Sequence, residues 1–377
     1  MPLDLISLRR DFHRNPETAY EEKRTARRIF DELSSIGLTP AYYTETGIVV
    51  EIEGSKKEPI TAIRVDIDAL PIEENSNVAF SSLVPGKMHA CGHDIHTVIG
   101  MGIAEKCLSR KSEILGTVRI LFQPAEEVLE GAKKMISAGV LIGVSSIFGF
   151  HNKPEIPVGR VAFREGSLMA ASARFEIIIE GQGGHGAAPH LTKDPIIASA
   201  GITLGIQTAV SRKNNPLDPV VVSICEINGG NTYNVIPQLV RMMGTVRYLS
   251  PSAGKAIPNI LSEIIENIAR GYGCTAKFKY EELVGPLVNS ITSTLIAQGA
   301  AQRILGAESV LVADPIMASE DFSDYLKYVP GCYFWLGSNG RHGFHNPAYK
   351  VDEGCIEVGV DVLTEIAIES LSNLSQL

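Results

Sequence analysis

The chain has 377 residues, 45% hydrophobic and 20% charged, which suffices for a sizeable core and is too long for one ordinary domain, so two are expected. A net charge of −9 argues against a nucleic-acid partner, which would want a basic face. No stretch approaches the length of a bilayer-crossing helix, and the start, Met1-Pro2-Leu3-Asp4-Leu5, lacks a basic region followed by an apolar run, so a cytoplasmic protein without a membrane partner is expected.

Leu5, Leu8 and Phe12 recur at helical spacing over 4–14, and Pro16 ends that helix, on which His13 reads as a surface or capping histidine. Thr18 and Glu21 read as a capping box for a second helix, whose stripe of Ile29, Phe30, Leu33 and Ile36 runs to Gly37. Two β-rich runs follow at 48–52 and 60–65. The second empties into Asp66-Ile67-Asp68, and alternation puts both aspartates on one side of the strand end. A histidine-rich stretch at 88–96 precedes a helix over 97–109. The strand 117–122 delivers Glu126 and Glu127, a helix covers 129–137, and the strand 146–150 ends on His151. Three strands thus discharge polar, metal-competent groups at their C-terminal ends, where chemistry collects in open α/β sheets.

The texture changes near Ala171. A strand at 174–180, a helix at 194–210, strands at 220–227 and 240–248, a helix at 256–271 and a strand at 274–280 give the split βαβ order of a ferredoxin-like unit. It reads as an inserted domain, 172–283, that splits a discontinuous first domain, 1–171 and 284–377. The glycine runs at 181–186 and 228–234 have neither phosphate-binding form, but His185 between glycines should be exposed on a loop. After 283 the α/β texture resumes with a helix at 292–304, another opened by Ser319-Glu320-Asp321, a strand at 332–336, a loop carrying His342 and His345, and a last helix at 358–371. Trp335 reads as core.

Met88-His89-Ala90-Cys91-Gly92-His93-Asp94-Ile95-His96 is the densest chemistry in the chain, which has only nine histidines and six cysteines. With Gly92 between them, Cys91 and His93 can face one ion on an extended or turning backbone. The other cysteines are scattered with no CxxC, so reduced thiols are expected. On residue types alone Cys91, His93, one of Glu126 and Glu127, His151 and His345 collect as ligands. Five are more than one catalytic metal takes and suit two ions about 3.5–4 Å apart. Of two adjacent carboxylates, one on metal stays ionised while its neighbour moves protons.

Six segments, RVDIDALP (64–71), MHACGHD (88–94), FQPAEE (122–127), FGFH (148–151), GGHGAAPH (183–190) and NVIP (234–237), resemble in order the motifs of one family. This is the amidohydrolase branch of the aminoacylase and carboxypeptidase-like dinuclear metallohydrolases, which includes hippurate hydrolases, plant auxin-conjugate hydrolases and N-acetyldiaminopimelate deacetylases. The resemblance implies an α/β fold: a three-layer catalytic domain about a mixed sheet, with the inserted α+β unit as lid and dimerisation domain. It implies that Cys91, His93, Glu127, His151 and His345 hold two divalent ions (manganese, zinc, cobalt or nickel), with Cys91 bridging. Glu126 would be the general base and Asp68 would orient a ligand. His185 would help hold the oxyanion, in its own or the partner's site, and Asn234 would contact substrate. His89 and His96 would hydrogen-bond around the ligands, His190 would pack against a domain turn, and His342 would not be the ligand.

The implied function is metal-dependent hydrolysis of N-acyl amino acids, N-acetyl or aryl-acyl, by a homodimer or dimer of dimers. The alternatives are N-acetyldiaminopimelate deacetylation, a dipeptidase or carboxypeptidase, and a non-catalytic binding protein. Relatives of the peptidase kind generally use an aspartate bridge, which Cys91 counts against, and an intact Glu126 argues against loss of catalysis. The sequence departs from the pattern at Val128-Leu129-Glu130, where glycines are common, at Gly186, where alanine is common, and at His345-Asn346-Pro347, where His-Ser-Pro is usual. These departures bear on pocket shape.

Overall fold

The computed structural model describes residues 2–375; Met1, Gln376 and Leu377, which fall within the expected first domain, lie outside the described residues. The chain divides into two compact units, one of Met1–Leu168, Val288–Asp314 and Asp321–Leu377, the other of Met169–Leu287 and Pro315–Glu320.

The first unit carries α1 (Leu5–Arg14), α2 (Lys23–Ser35), β1 (Ala41–Tyr42), β2 (Ile48–Glu53), β3 (Ile60–Asp66), α3 (His93–Ser109), β4 (Thr117–Gln123), α4 (Gly131–Ser137), β5 (Val144–Lys153) and β6 (Val161–Phe163). After the insertion come α5 (Ile291–Leu305), β7 (Val310–Val312), α6 (Phe322–Tyr325), β8 (Gly331–Gly337) and α7 (Cys355–Leu374). The sheet is mixed, in the order β1-β2-β4-β3-β5-β8-β6-β7, and its centre from β4 through β8 is parallel. β3, β4 and β8 are buried at every residue, as continuous apolar runs require when both faces of a parallel sheet are covered. Phe12 of α1, Ile29 and Leu33 of α2, Val98 of α3 and Ile366 of α7 join Val65, Phe122 and Phe334 of the sheet in one core. Each such side chain contributes roughly 1.5–3 kcal/mol by burial. α3 is buried around nearly its whole girth. A Cβ at Gly100 would lie 2.8 Å from Phe122 and Val65, so only glycine lets the helix seat this closely on the sheet.

Several local expectations change. α2 begins at Lys23 rather than after a Thr18 cap, because Thr18 is tied into a β-bridge with Ala69. The carboxylate of Glu17 instead accepts the amides of Arg24 and Thr25, at 3.0 and 2.8 Å, and so does the work of the cap. α4 starts at Gly131 rather than Leu129, whose φ of +58° is not helical. β5 continues through His151 to Lys153, pairing His151 with Trp335 of β8. His13 is not a surface residue: it is 2% exposed, with Nδ1 at 2.7 Å from Asp94 and Nε2 at 3.1 Å from Glu74. Arg9 joins the same buried group 2.8 Å from Asp94.

The second unit has four antiparallel strands in the order Val220–Gly229, Leu239–Tyr248, Ala171–Glu180, Thr275–Val284, with helices Pro195–Gly205 and Pro251–Gly271. This is the ferredoxin-like arrangement. Alternate residues Phe175, Ile177 and Ile179 turn into a core with Ile202, Ile257 and Leu261. Pro195 and Pro251 sit at helix starts, where a missing N–H costs nothing, and Asp194 and Ser250 cap them. The predicted helix over 194–210 ends earlier, at Gly205, and a π-turn follows at Ala209–Lys213.

Candidate metal centre

The end of β5, the loops that follow β4 and β8, and the start of α3 bring the five expected ligands to one place. Cys91 Sγ lies 3.3 Å from His151 Nε2. His93 Nε2 lies 4.0 Å from Glu127 Oε1, and His345 Nε2 lies 3.3 Å from Glu127 Oε2. Cys91, His93 and His151 form one group whose donor atoms fall within 4.8 Å of one another; Cys91, Glu127 and His345 form a second, and His93, Glu126 and Glu127 a third. Overlapping groups that share Cys91, His93 and Glu127 are the donor pattern of a two-ion site, with thiolate, imidazole and carboxylate suited to zinc or a neighbouring divalent metal.

The fit to metal rests on orphaned atoms. His93 Nε2 and Glu127 Oε1 are both buried, face one another, and have no hydrogen-bond partner. Leaving such groups dry and unpaired is costly, and a cation between them would satisfy both. Each imidazole is also aimed. His93 Nδ1 donates to Asp68 O at 3.0 Å and His151 Nδ1 donates to Asn152 O at 2.8 Å, which leaves each Nε2 lone pair pointing into the cage.

Electrostatics agree. Burial opposes charge on His93, yet Asp66 and then Asp68 beside it raise its pKa to about 10, so without metal a proton takes the place of the cation. Burial raises the Cys91 thiol well above its ordinary value, with Glu127 and Glu126 adding to it. Burial holds His151 well below its ordinary value, and hydrogen bonding to Glu127 raises His345.

Asp68 organises the centre. Its Oδ2 accepts the backbone N–H of Glu127 at 3.0 Å and its Oδ1 faces His93 Nδ1 at 3.2 Å. Glu126 is buried, 6% exposed, on the same loop. The Cys91 turn is locked from behind: Asn152 Nδ2 and the Tyr349 hydroxyl donate to Cys91 O at 2.8 and 3.3 Å. Gly92 has φ +88°, and a Cβ there would stand 2.4 Å from Asn152 Nδ2. Below, Arg64 bridges Asp66 at 2.6 Å and Asp321 at 2.8 Å, and Gln123 Nε2 donates to Asp321 at 2.9 Å, fixing the ends of β3 and β4.

Asp66, His93 and His96 form a further metal-competent group, but Asp66 and His96 are already spent on other partners. Asp66 is taken by Arg64 and by His96 Nδ1 at 2.6 Å, while His96 Nε2 accepts the Asn152 N–H at 3.0 Å. His96 therefore hydrogen-bonds around the ligands as expected. His89 does not: it is buried with neither ring nitrogen partnered, and burial lowers its pKa to about 4, so it stays neutral. His190 lies exposed on the short turn Pro189–Leu191, and His342 is exposed.

In the second unit, His185 pairs with Val235 in a two-stranded ribbon, and the Gly186 N–H donates to Asn234 O at 2.9 Å. His185 Nδ1 accepts the Ala187 N–H at 3.0 Å, so the ring proton sits on an exposed Nε2. Asn152, Tyr349 and Glu22, which brace the first unit's centre, carry no sequence signal of their own, except that Asn152 and Tyr349 lie near His151 and His345 in the chain.

Residues 62–369 match peptidase family M20/M25/M40. The chain is 43% identical over 372 residues to a Bacillus subtilis protein named N-acetylcysteine deacetylase, covering 98% of this chain and 97% of that one. It is 37% identical to an Arabidopsis thaliana protein named IAA-amino acid hydrolase ILR1-like 2, covering 97% and 85%. A Bacillus subtilis crystal structure described as a dinuclear metal binding peptidase from the M20 family superposes with a TM-score of 0.89 at 40% identity, covering 98% of both chains.

Proposed function

The chain belongs to peptidase family M20/M25/M40, and from that membership we propose that it hydrolyses the amide bond of N-acyl amino acids, releasing a carboxylate and a free amino acid. The observation that carries this is the pair of buried, unpartnered atoms, His93 Nε2 and Glu127 Oε1, facing each other beside Cys91 and His151. In this reading Cys91, His93, Glu127, His151 and His345 would hold two divalent ions, zinc, manganese, cobalt or nickel. Bound there, the ions supply Lewis acidity to the amide carbonyl and acidify the attacking water.

The chain's own residues do the rest. Glu126 takes the water proton and returns it to the departing amine, so one carboxylate serves as base and then acid. Asp68 keeps His93 and Glu127 in place by holding one ring N–H and one backbone N–H. His185 offers its Nε2 proton to the developing oxyanion, in its own or the partner's site, and Asn234 beside the same ribbon contacts the substrate.

The second unit acts as lid and dimerisation domain. The strand Val220–Gly229 is a sheet edge with Val221 and Ile227 exposed, which supports a homodimer through that edge. Six free cysteines favour a reducing, cytoplasmic setting, and among the described residues no helix is long and apolar enough to cross a membrane. The test is hydrolysis of N-acetyl, N-benzoyl and dipeptide substrates by metal-reconstituted protein. N-acetyl amino acids should be cleaved and dipeptides not, whereas cleavage of dipeptides alone would overturn the assignment.

A further inference from the structure

The loop that carries Glu126 and Glu127 is held at two points. On the Glu127 side the anchor is Asp68. On the other side it is Glu22, a carboxyl with 0% exposure at the start of α2, whose Oε1 accepts the N–H of Ala125 at 2.9 Å and whose Oε2 accepts the Thr46 hydroxyl at 3.0 Å. Glu126 therefore sits between two peptide groups, each clasped by a buried carboxylate oxygen from outside its own loop.

The clasp falls where the backbone would otherwise relax. Ala125 has φ +57° and Leu129 has φ +58°, left-handed values that residues with a Cβ seldom adopt. Between them the loop closes on itself, with Leu129 N–H donating to Glu126 O at 2.7 Å and Gly131 N–H to Ala125 O at 3.1 Å. Gly131 cannot be replaced freely, since a Cβ there would stand 1.7 Å from Pro124 O. A tightly wound loop with two left-handed corners keeps its shape only if the surroundings over-determine it.

We propose that Glu22 is a positioning residue for Glu126: by accepting the Ala125 N–H it holds the turn in the left-handed form that aims the Glu126 carboxylate into the centre. This rests on the reading of Glu126 as the base. The role needs an oxygen acceptor and not a negative charge. Burial first, and then Asp68, raise the Glu22 pKa to about 7, so near neutrality it is part protonated, and either form leaves one oxygen for Ala125. A glutamine can supply the same oxygen while its amide faces the Thr46 hydroxyl, which also accepts. An alanine cannot.

Metal-reconstituted full-length protein is compared as wild type, Glu22→Gln, Glu22→Asp and Glu22→Ala. The readouts are kcat and KM on an N-acetyl amino acid, and amide hydrogen exchange of the 123–131 segment measured without substrate. Glu22→Ala is expected to lose about 10- to 100-fold in kcat with KM within about twofold, and to exchange faster at 123–131, whereas Glu22→Gln keeps both properties near wild type. Glu22→Asp, one methylene too short to reach Ala125, should follow Glu22→Ala and carries the test if the alanine variant does not fold. Wild-type kcat or unchanged exchange in Glu22→Asp, or a glutamine variant as impaired as the aspartate one, overturns the inference. If the wild type cleaves no N-acyl amino acid, the assignment of Glu126 falls and with it the catalytic half of this inference; the exchange data still decide whether Glu22 holds the turn.

Discussion

The Asp68 carboxylate accepts the backbone N–H of Glu127 through one oxygen and faces His93 through the other, so a single side chain fixes two of the proposed ligands. Asp68→Asn replaces one of these acceptors with an NH₂ that cannot take an N–H. A fall of about 10- to 100-fold in activity or metal affinity is expected, with little change in global stability. Metal titration against a chelating indicator measures it, and wild-type affinity together with wild-type kcat would remove Asp68 from the centre.

Glu126→Gln keeps the volume of the side chain but cannot accept a proton. The expected result is a loss of about 10²- to 10⁴-fold in kcat with full metal content. A variant that turns over at the wild-type rate while holding both ions would show that some other group moves the proton.

Metal uptake should release protons. His93 has a pKa of about 10 without metal and the Cys91 thiol is raised by burial, so both are protonated near neutrality, and both must lose the proton to bind. Apparent affinity should therefore climb as pH rises from 6 towards 9, by as much as about tenfold per unit for each proton displaced. Calorimetry in buffers of different ionisation enthalpy counts the protons, and a pH-independent affinity would contradict the ligand set.

Glu22 gives a pH signature in metal-free protein. Its pKa in the fold is about 7 against an ordinary 4.5, so the fold favours the protonated carboxyl. The stabilisation this brings is complete below the unfolded value and is lost as pH rises through the folded one, up to about 3 kcal/mol at about 1.4 kcal/mol per unit. Glu22→Gln lacks this loss, so its stability relative to wild type should improve between pH 4.5 and 8. Parallel denaturation midpoints across that range would refute the shift.

The candidate ligands could be collected from the sequence because metal binding demands rare residue types and strand ends place them: Cys91 and His93 stand out in composition before any contact is known, whereas residue types alone leave Glu126 and Glu127 equivalent and only the resemblance chooses between them. The supports were not legible, because their role depends on contacts made across the fold. His13 on an amphipathic helix resembles any surface histidine until Asp94, 81 residues on, folds against it. Thr18 and Glu21 have capping-box spacing, yet the bridge to Ala69 takes Thr18 away and a carboxylate upstream fills the place. The start of α4 slipped by two residues because a left-handed Leu129 has no composition signal.

The proposed ligands differ in their access to water. Cys91, His93 and His151 are at most 7% exposed, whereas the His345 side chain is 53% exposed and stands on a backbone with φ +61°. A cage with one open wall fills and empties through that wall. Chelation should then proceed in two kinetic steps, a fast loss at the rim and a slow loss from the floor.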